Sequence, residues 1–174
     1  MNISSSAPAS AATPAVALFA DVQNLYYTSR DVHGRAPDYR ALWRHACRSE
    51  RVAMANAYAI ERHDARQQQF QNALRQIGFN VRLKPFIQRR DGSAKGDWDV
   101  GITLDMIEAA ECAERLVLMS GDGDFVELIE RLHRRFGVIV EVYAVEALTA
   151  RALINAADRF YPIDDRFLIA ERRQ

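Results

Sequence analysis

The run Leu-Val-Leu-Met-Ser-Gly-Asp-Gly-Asp-Phe at residues 116–125 limits the fold more than any other stretch of the chain. Its apolar opening, residues 116–119, reads as a buried strand that breaks at once into small and acidic residues before an apolar-periodic segment that reads as a helix. Asp122 and Asp124 then stand at the carboxyl end of a strand, the edge where open α/β sheets bind ligands.

The rest of the chain repeats that alternation. Residues 16–20 form a β-suited run that stops at Asp21, so another strand delivers a carboxylate, and Asp-Val-Gln-Asn at 21–24 reads as a turn. Residues 25–37, with His33, Gly34 and Pro37, read as an irregular connection. Asp38 caps a helix that carries Tyr39, Leu42, Trp43 and Ala46 on one face and His45 on its surface. A second strand over 52–60 leaves through Glu61, Arg62 and His63. The next helix starts near Asp64, presents Phe70, Leu74 and Ile77, and stops at Gly78 before a third strand over 79–86.

Asp97 or Asp99 caps a further helix that runs to about Ala113. The helix from Phe125 closes at Gly137, and the β-branched run 138–145 suits a strand covered on both faces. A short helix over 147–157 and an extra edge strand over 160–163 complete the pattern. The expected fold is therefore α/β: a Rossmann-like three-layer sandwich with a mainly parallel sheet of order 3-2-1-4-5. That order puts the first and fourth strands side by side, so that Asp21 and the pair Asp122 and Asp124 converge on one cleft.

A chain of 174 residues suits one domain, expected over 15–165, with a disordered tail at 1–14 and a C-terminal tail at 166–174. With 49% apolar and 26% charged residues the class is ordinary globular, and no apolar span is long enough to cross a bilayer. Zero net charge argues against wholesale coating of nucleic acid but allows a local basic patch. The candidate is the segment from Arg82 to Lys95, where Arg82, Lys84, Arg89, Arg90 and Lys95 face a single acid, Asp91. Cys47 and Cys112 each sit in an apolar-periodic helical run and read as buried thiols, which favours a reducing compartment. The small, polar N-terminal residues lack the core of a secretory signal, so the cytoplasm is the expected address.

Asp21, Asp99, Asp122 and Asp124 are the candidate site. Taken singly, each has a plainer role as a helix cap or turn residue. Taken together, unpaired carboxylates gathered at two strand ends and one helix start repel one another and raise one another's pKa. A hard divalent ion relieves that: Mg²⁺ or Mn²⁺ takes oxygen ligands, keeps several waters and stabilises charge on a phosphodiester. A calcium loop is excluded because Phe125 and Val126 follow where further oxygen ligands belong. The chain has no phosphate-binding loop, nucleophile elbow or dinucleotide fingerprint, and its four histidines lack metal-ligand spacing. Of these only His63, after a strand on the active edge, is a minor candidate for touching substrate.

The motifs Phe19-Ala-Asp-Val-Gln-Asn24, Lys95-Gly-Asp-Trp-Asp-Val100 with Asp105 beyond it, Ser120-Gly-Asp-Gly-Asp-Phe125 and Ala156-Ala-Asp-Arg-Phe160 occur in that order. Together they resemble the successive motifs of the NYN domain, LabA-like branch, within the PIN-like nuclease superfamily. The resemblance implies a Rossmann-like sheet, an acidic cleft for Mg²⁺ or Mn²⁺, and a ribonuclease acting in RNA processing or turnover. It makes Asp21 the acid of the first strand with Asn24 as polar companion, Asp99 the helix acid, Asp122 and Asp124 the fourth-strand pair, and Ser120 the small polar residue beside them. Asp105 matches a recurrent position, but lies about 240° round the helix from Asp99 and suits a structural role.

Two main readings follow. The first is a metal-dependent endoribonuclease acting on single-stranded RNA, with Asn24 and Ser120 orienting ligands or substrate, Lys95 and Arg62 contacting phosphate, and Arg89 and Arg90 as weaker candidates. The alternative is a catalytically silent module of the same fold that binds RNA or a protein partner; a homodimer is open under either. A phosphohydrolase for small phosphate esters ranks last, because Gln23 stands where its second aspartate belongs.

Overall fold

The structure is a computed structural model that describes residues 14–85, 87–88, 90, 94–95 and 97–171, the side chains of 87, 88, 94 and 95 excepted. In chain order the elements are β1 (Ala15–Asp21), α1 (Val22–His33), α2 (Tyr39–Cys47), β2 (Arg51–Glu61), α3 (Ala65–Ile77) and β3 (Asn80–Pro85). A short antiparallel hairpin, β4 (Ile87–Gln88) and β5 (Ala94–Lys95), follows. Then come α4 (Asp99–Ala109), β6 (Arg115–Met119), α5 (Val126–Phe136), β7 (Ile139–Ala144), α6 (Arg151–Ala156) and β8 (Arg159–Pro162).

One six-stranded sheet, ordered β3-β2-β1-β6-β7-β8, carries the fold, and every pairing in it is parallel. Leaving the hairpin aside, this is the expected order with the edge strand added. Strand β1 explains the layering. Val16, Leu18 and Ala20 face a core shared with Leu25 of α1, Leu42 of α2 and Leu74 of α3. Ala17 and Phe19 face the opposite core with Ile102 and Met106 of α4 and Leu128 and Leu132 of α5. A strand buried on both faces has no room for polar alternation, which is why β1 and β6 read as continuous apolar runs.

Several local expectations are corrected. Residues 22–33 are a helix and not an irregular connection: the Asp21 carboxylate accepts from the Asn24 N–H to cap it, and Gly34, at φ 67°, closes it. Its buried stripe is only Val22, Leu25 and Ser29, too narrow to stand out from the polar residues around it. His45 is half-buried and not simply on the surface; its Nδ1 lies 2.8 Å from the Tyr143 hydroxyl, and its ring packs edge-on against Tyr161 and Phe167. Burial lowers its pKa below the ordinary histidine value.

Cys47 is buried as expected, but Cys112 is exposed because α4 ends at Ala109 instead of near Ala113. Residues 166–168 do not begin a tail: Phe167 and Leu168 pack into the core, and Leu168 bridges to Pro37. The strand expected within 138–145 is covered on both faces, and it carries Glu141, fully buried and paired with Arg48, Arg115 and Arg159. No helix among the described residues is long and apolar enough to cross a membrane.

Candidate metal centre

Strands β1 and β6 lie side by side with Ala20 opposite Met119, so Asp21 and the loop that starts at Ser120 leave the sheet together. This is the point at which the chain reverses its direction of travel across the sheet, where α/β folds open a crevice. The loop is tightly held. Asn24 Oδ1 accepts from the Gly121 N–H at 3.0 Å, the Asp122 N–H donates to Ser120 Oγ at 3.3 Å, and Ser120 Oγ donates to Asp21 Oδ2 at 3.3 Å. Ser120 therefore couples the acid of β1 to the acids after β6.

The two glycines of the loop have a packing reason. A Cβ on Gly121 would stand 2.7 Å from Thr149 Oγ1, and one on Gly123 would stand 2.9 Å from the Ala150 Cβ. Only bare backbone lets the segment before α6 close over this turn. Within it the Asp122 carboxylate accepts from the Asp124 N–H at 2.9 Å and so caps the short 3₁₀ turn at 123–125.

Carboxylate oxygens of Asp99, Asp122 and Asp124 all lie within 4.8 Å of one another. Asp99 reaches them from α4, and it is not a cap: Trp98 occupies that position, and Asp99 is the first residue of the helix. Asp21 stands outside the trio, linked to it through Ser120 and by charge repulsion with Asp99 and Asp122. Among the described residues no arginine or lysine forms an ion pair with any of these four acids.

The consequence is electrostatic. Burial, then the Asp122, Asp97 and Asp124 charges, push the Asp99 carboxyl up to about 6, with Lys84 pulling the other way. Burial, aided by Asp99 and Asp122, raises Asp21 to about 6 against the hydrogen bonds from Asn24 and Ser120. Oxygen ligands, negative charge and no ion pair among the described residues are the donor set that a hard divalent cation takes, so these residues fit Mg²⁺ or Mn²⁺.

Of the other candidates, Asp105 faces away from the trio. Its Oδ2 pairs with the Arg82 guanidinium and accepts from the Tyr58 hydroxyl at 2.6 Å and Asn56 Nδ2 at 3.1 Å, a structural knot deep between α4 and the sheet. Arg62, His63 and Arg90 are exposed. The Lys95 backbone pairs with Ile87 in the hairpin, while its side chain, like all of Arg89, lies outside the described residues.

Lys84, expected only as part of the basic segment, is a neighbour of the acids. Its ammonium donates to the Asp97 carbonyl at 2.9 Å, sits 4.3 Å from the Trp98 ring centre, and is close enough to act on Asp99. The signal for it was the alternation of Arg82 and Lys84 along β3, which puts both on the same side of the sheet as α4.

An all-parallel α/β sheet with an acidic cluster at its topological switch point defines a Rossmann-like domain with its candidate site at the carboxyl ends of β1 and β6. The chain belongs to the NYN domain family, whose model matches residues 15–164. It is 30% identical to the low amplitude and bright protein LabA of Synechococcus elongatus over 158 residues, 86% of this chain and 84% of that one. It is also similar to a crystal structure of a Vibrio parahaemolyticus protein of unknown function, with TM-score 0.87 and 51% identity, covering 92% of this chain and 99% of the other.

Proposed function

We propose that this domain is a metal-dependent endoribonuclease that hydrolyses single-stranded RNA with Mg²⁺ or Mn²⁺ in RNA processing or turnover. The observation that carries the proposal is the trio Asp99, Asp122 and Asp124, three carboxylates within one ion's reach and without an ion pair among the described residues. Asp99, Asp122 and Asp124 would hold the cation. When bound, that cation supplies charge stabilisation for the phosphodiester and lowers the pKa of a coordinated water.

The chain's own residues account for the rest. Ser120 and Asn24 hold the loop so that the acids after β6 keep their positions relative to Asp21. Asp21, joined to the loop through Ser120, is the acid this reading assigns to take a proton from the attacking water. Lys84, beside the acids, and Lys95, on the approach to α4, are placed along the chain to meet substrate phosphate.

The test is cleavage of a single-stranded RNA in Mn²⁺ by wild-type protein and by Asp21→Asn, Asp99→Asn and Asp122→Asn, with folding checked by circular dichroism. Each variant is expected to fold and to lose cleavage. Wild-type protein that neither cuts RNA nor gains thermal stability from Mn²⁺ would reassign the domain to a regulatory, non-catalytic module.

A further inference from the structure

A second concave feature lies beside the first turn of α1, which follows Asp21. Between α1, α2 and α3 is a cavity of about 690 Å³, within the size range of small-ligand sites. Its walls include Tyr26, Tyr39 and Phe70, and its polar contributors include Arg62, Arg66 and Gln67. The Tyr39 and Phe70 rings meet edge to face at 5.6 Å, while Tyr26 is 44% exposed, an aromatic surface open to a flat partner.

The cavity adjoins the strand ends that carry the acidic site. Val22 and Gln23, which line it, directly follow Asp21, and Ala59 and Ile60, which also line it, follow Tyr58, the β2 partner of Asp21. The Asp21 charge adds to burial in raising the Tyr39 hydroxyl pKa, so the two sites share an electrostatic neighbourhood. That hydroxyl is buried and makes no hydrogen bond among the described residues. A buried hydroxyl without a partner marks a place where polar demand is unmet by the protein itself.

We infer that this cavity is a nucleotide subsite: an unpaired base of the RNA enters among Tyr26, Tyr39 and Phe70, with Gln67 as an amide for its edge and Arg66 for the adjoining phosphate. An aromatic surface stacks any base, which gives sequence-tolerant grip on single strands, and an arginine beside it adds charge attraction for the backbone. The one acid among the described wall residues, Asp64, has its Oδ1 engaged by the Gln67 N–H at 2.9 Å as the cap of α3. A base held there sets which phosphodiester crosses Asp21 into the carboxylate cluster. The subsite deepens the ribonuclease proposal and rests on it for the cleavage, though not for the binding of a nucleotide.

The experiment is an NMR titration of the full chain in chelator with UMP and with AMP, beside the Mn²⁺ cleavage assay. The expected result is saturable shifts centred on Tyr26, Tyr39 and Phe70, with affinity reduced about tenfold in Phe70→Leu and in Arg66→Gln. Arg66 is exposed, so its variant tests the site even where Phe70→Leu folds poorly. Nucleotide binding here without RNA cleavage leaves the subsite standing and removes the nuclease proposal. Cleavage without nucleotide shifts at these residues, or with affinities unchanged in both variants, overturns the subsite alone.

Discussion

The side-chain oxygen of Asn24, in the first turn of α1, accepts a hydrogen bond from the backbone N–H of Gly121 at 3.0 Å, joining the segments that follow β1 and β6. This bond, with the Ser120 bridge to Asp21, makes the spacing of the acids a property of two strands at once. Asn24→Ala should leave the buried Gly121 N–H unpaired and destabilise the fold by about 1 kcal/mol, and it should weaken Mn²⁺ binding about tenfold. Calorimetric titration with Mn²⁺ checks it; an unchanged affinity would mean that the loop holds its shape without the brace.

Removing one acid should help the metal-free protein and harm the loaded one. Asp99→Asn relieves repulsion by Asp122, Asp97 and Asp124, and in chelator at pH 7.5 it should stabilise the protein by about 1 kcal/mol once solvent screening is allowed for. The stabilisation that Mn²⁺ gives the wild type should disappear in the variant. Thermal unfolding with and without Mn²⁺ shows both effects; a variant less stable than wild type in chelator would mean that Asp99 is tied to a partner.

The same strain fixes a pH dependence. Asp21 and Asp99 have folded-state pKa values raised to about 6 from 3.8, so between those limits the folded chain binds more protons than the unfolded one. Their contribution to stability therefore falls as pH rises from about 4 to about 6, and is level above that. The Asp21→Asn, Asp99→Asn double variant isolates it: in chelator its stability advantage over wild type should be small at pH 4 and grow to a plateau by pH 7. In saturating Mn²⁺ the wild type should instead gain stability over that range. A gap that stays constant with pH would contradict the raised pKa values.

Asp105 should separate structure from function. Asp105→Ala strands the Arg82 guanidinium and the Tyr58 hydroxyl, a loss of about 2 kcal/mol. Below the unfolding temperature, Mn²⁺ affinity should match the wild type, because the residue faces away from the trio. A large fall in affinity with stability unchanged would place Asp105 in the site.

Much of the sheet was legible because strands buried on both faces, such as residues 16–20 and 116–119, leave an uninterrupted apolar signature. Helix α1 was not, because its contact with the core is three residues wide, and its cap Asp21 looked like a turn residue. The surroundings of His45 and Glu141 were not legible for a related reason. Local periodicity shows which face a residue is on, but not that Tyr143 or three arginines are waiting there.

By itself the sequence determined the alternation of strands and helices and the supply of carboxylates at their ends, since both depend on residue type and short spacings. Tertiary structure alone decided which carboxylates share a site. Asp99, Asp122 and Asp124 come within one ion's reach, Asp21 is held one hydroxyl away, and Asp105 is bound to Arg82 on the far side of the helix. Charge interactions fall off over a few ångströms, and distances on that scale between residues far apart in the chain are set only when the strands pair and α4 packs across them.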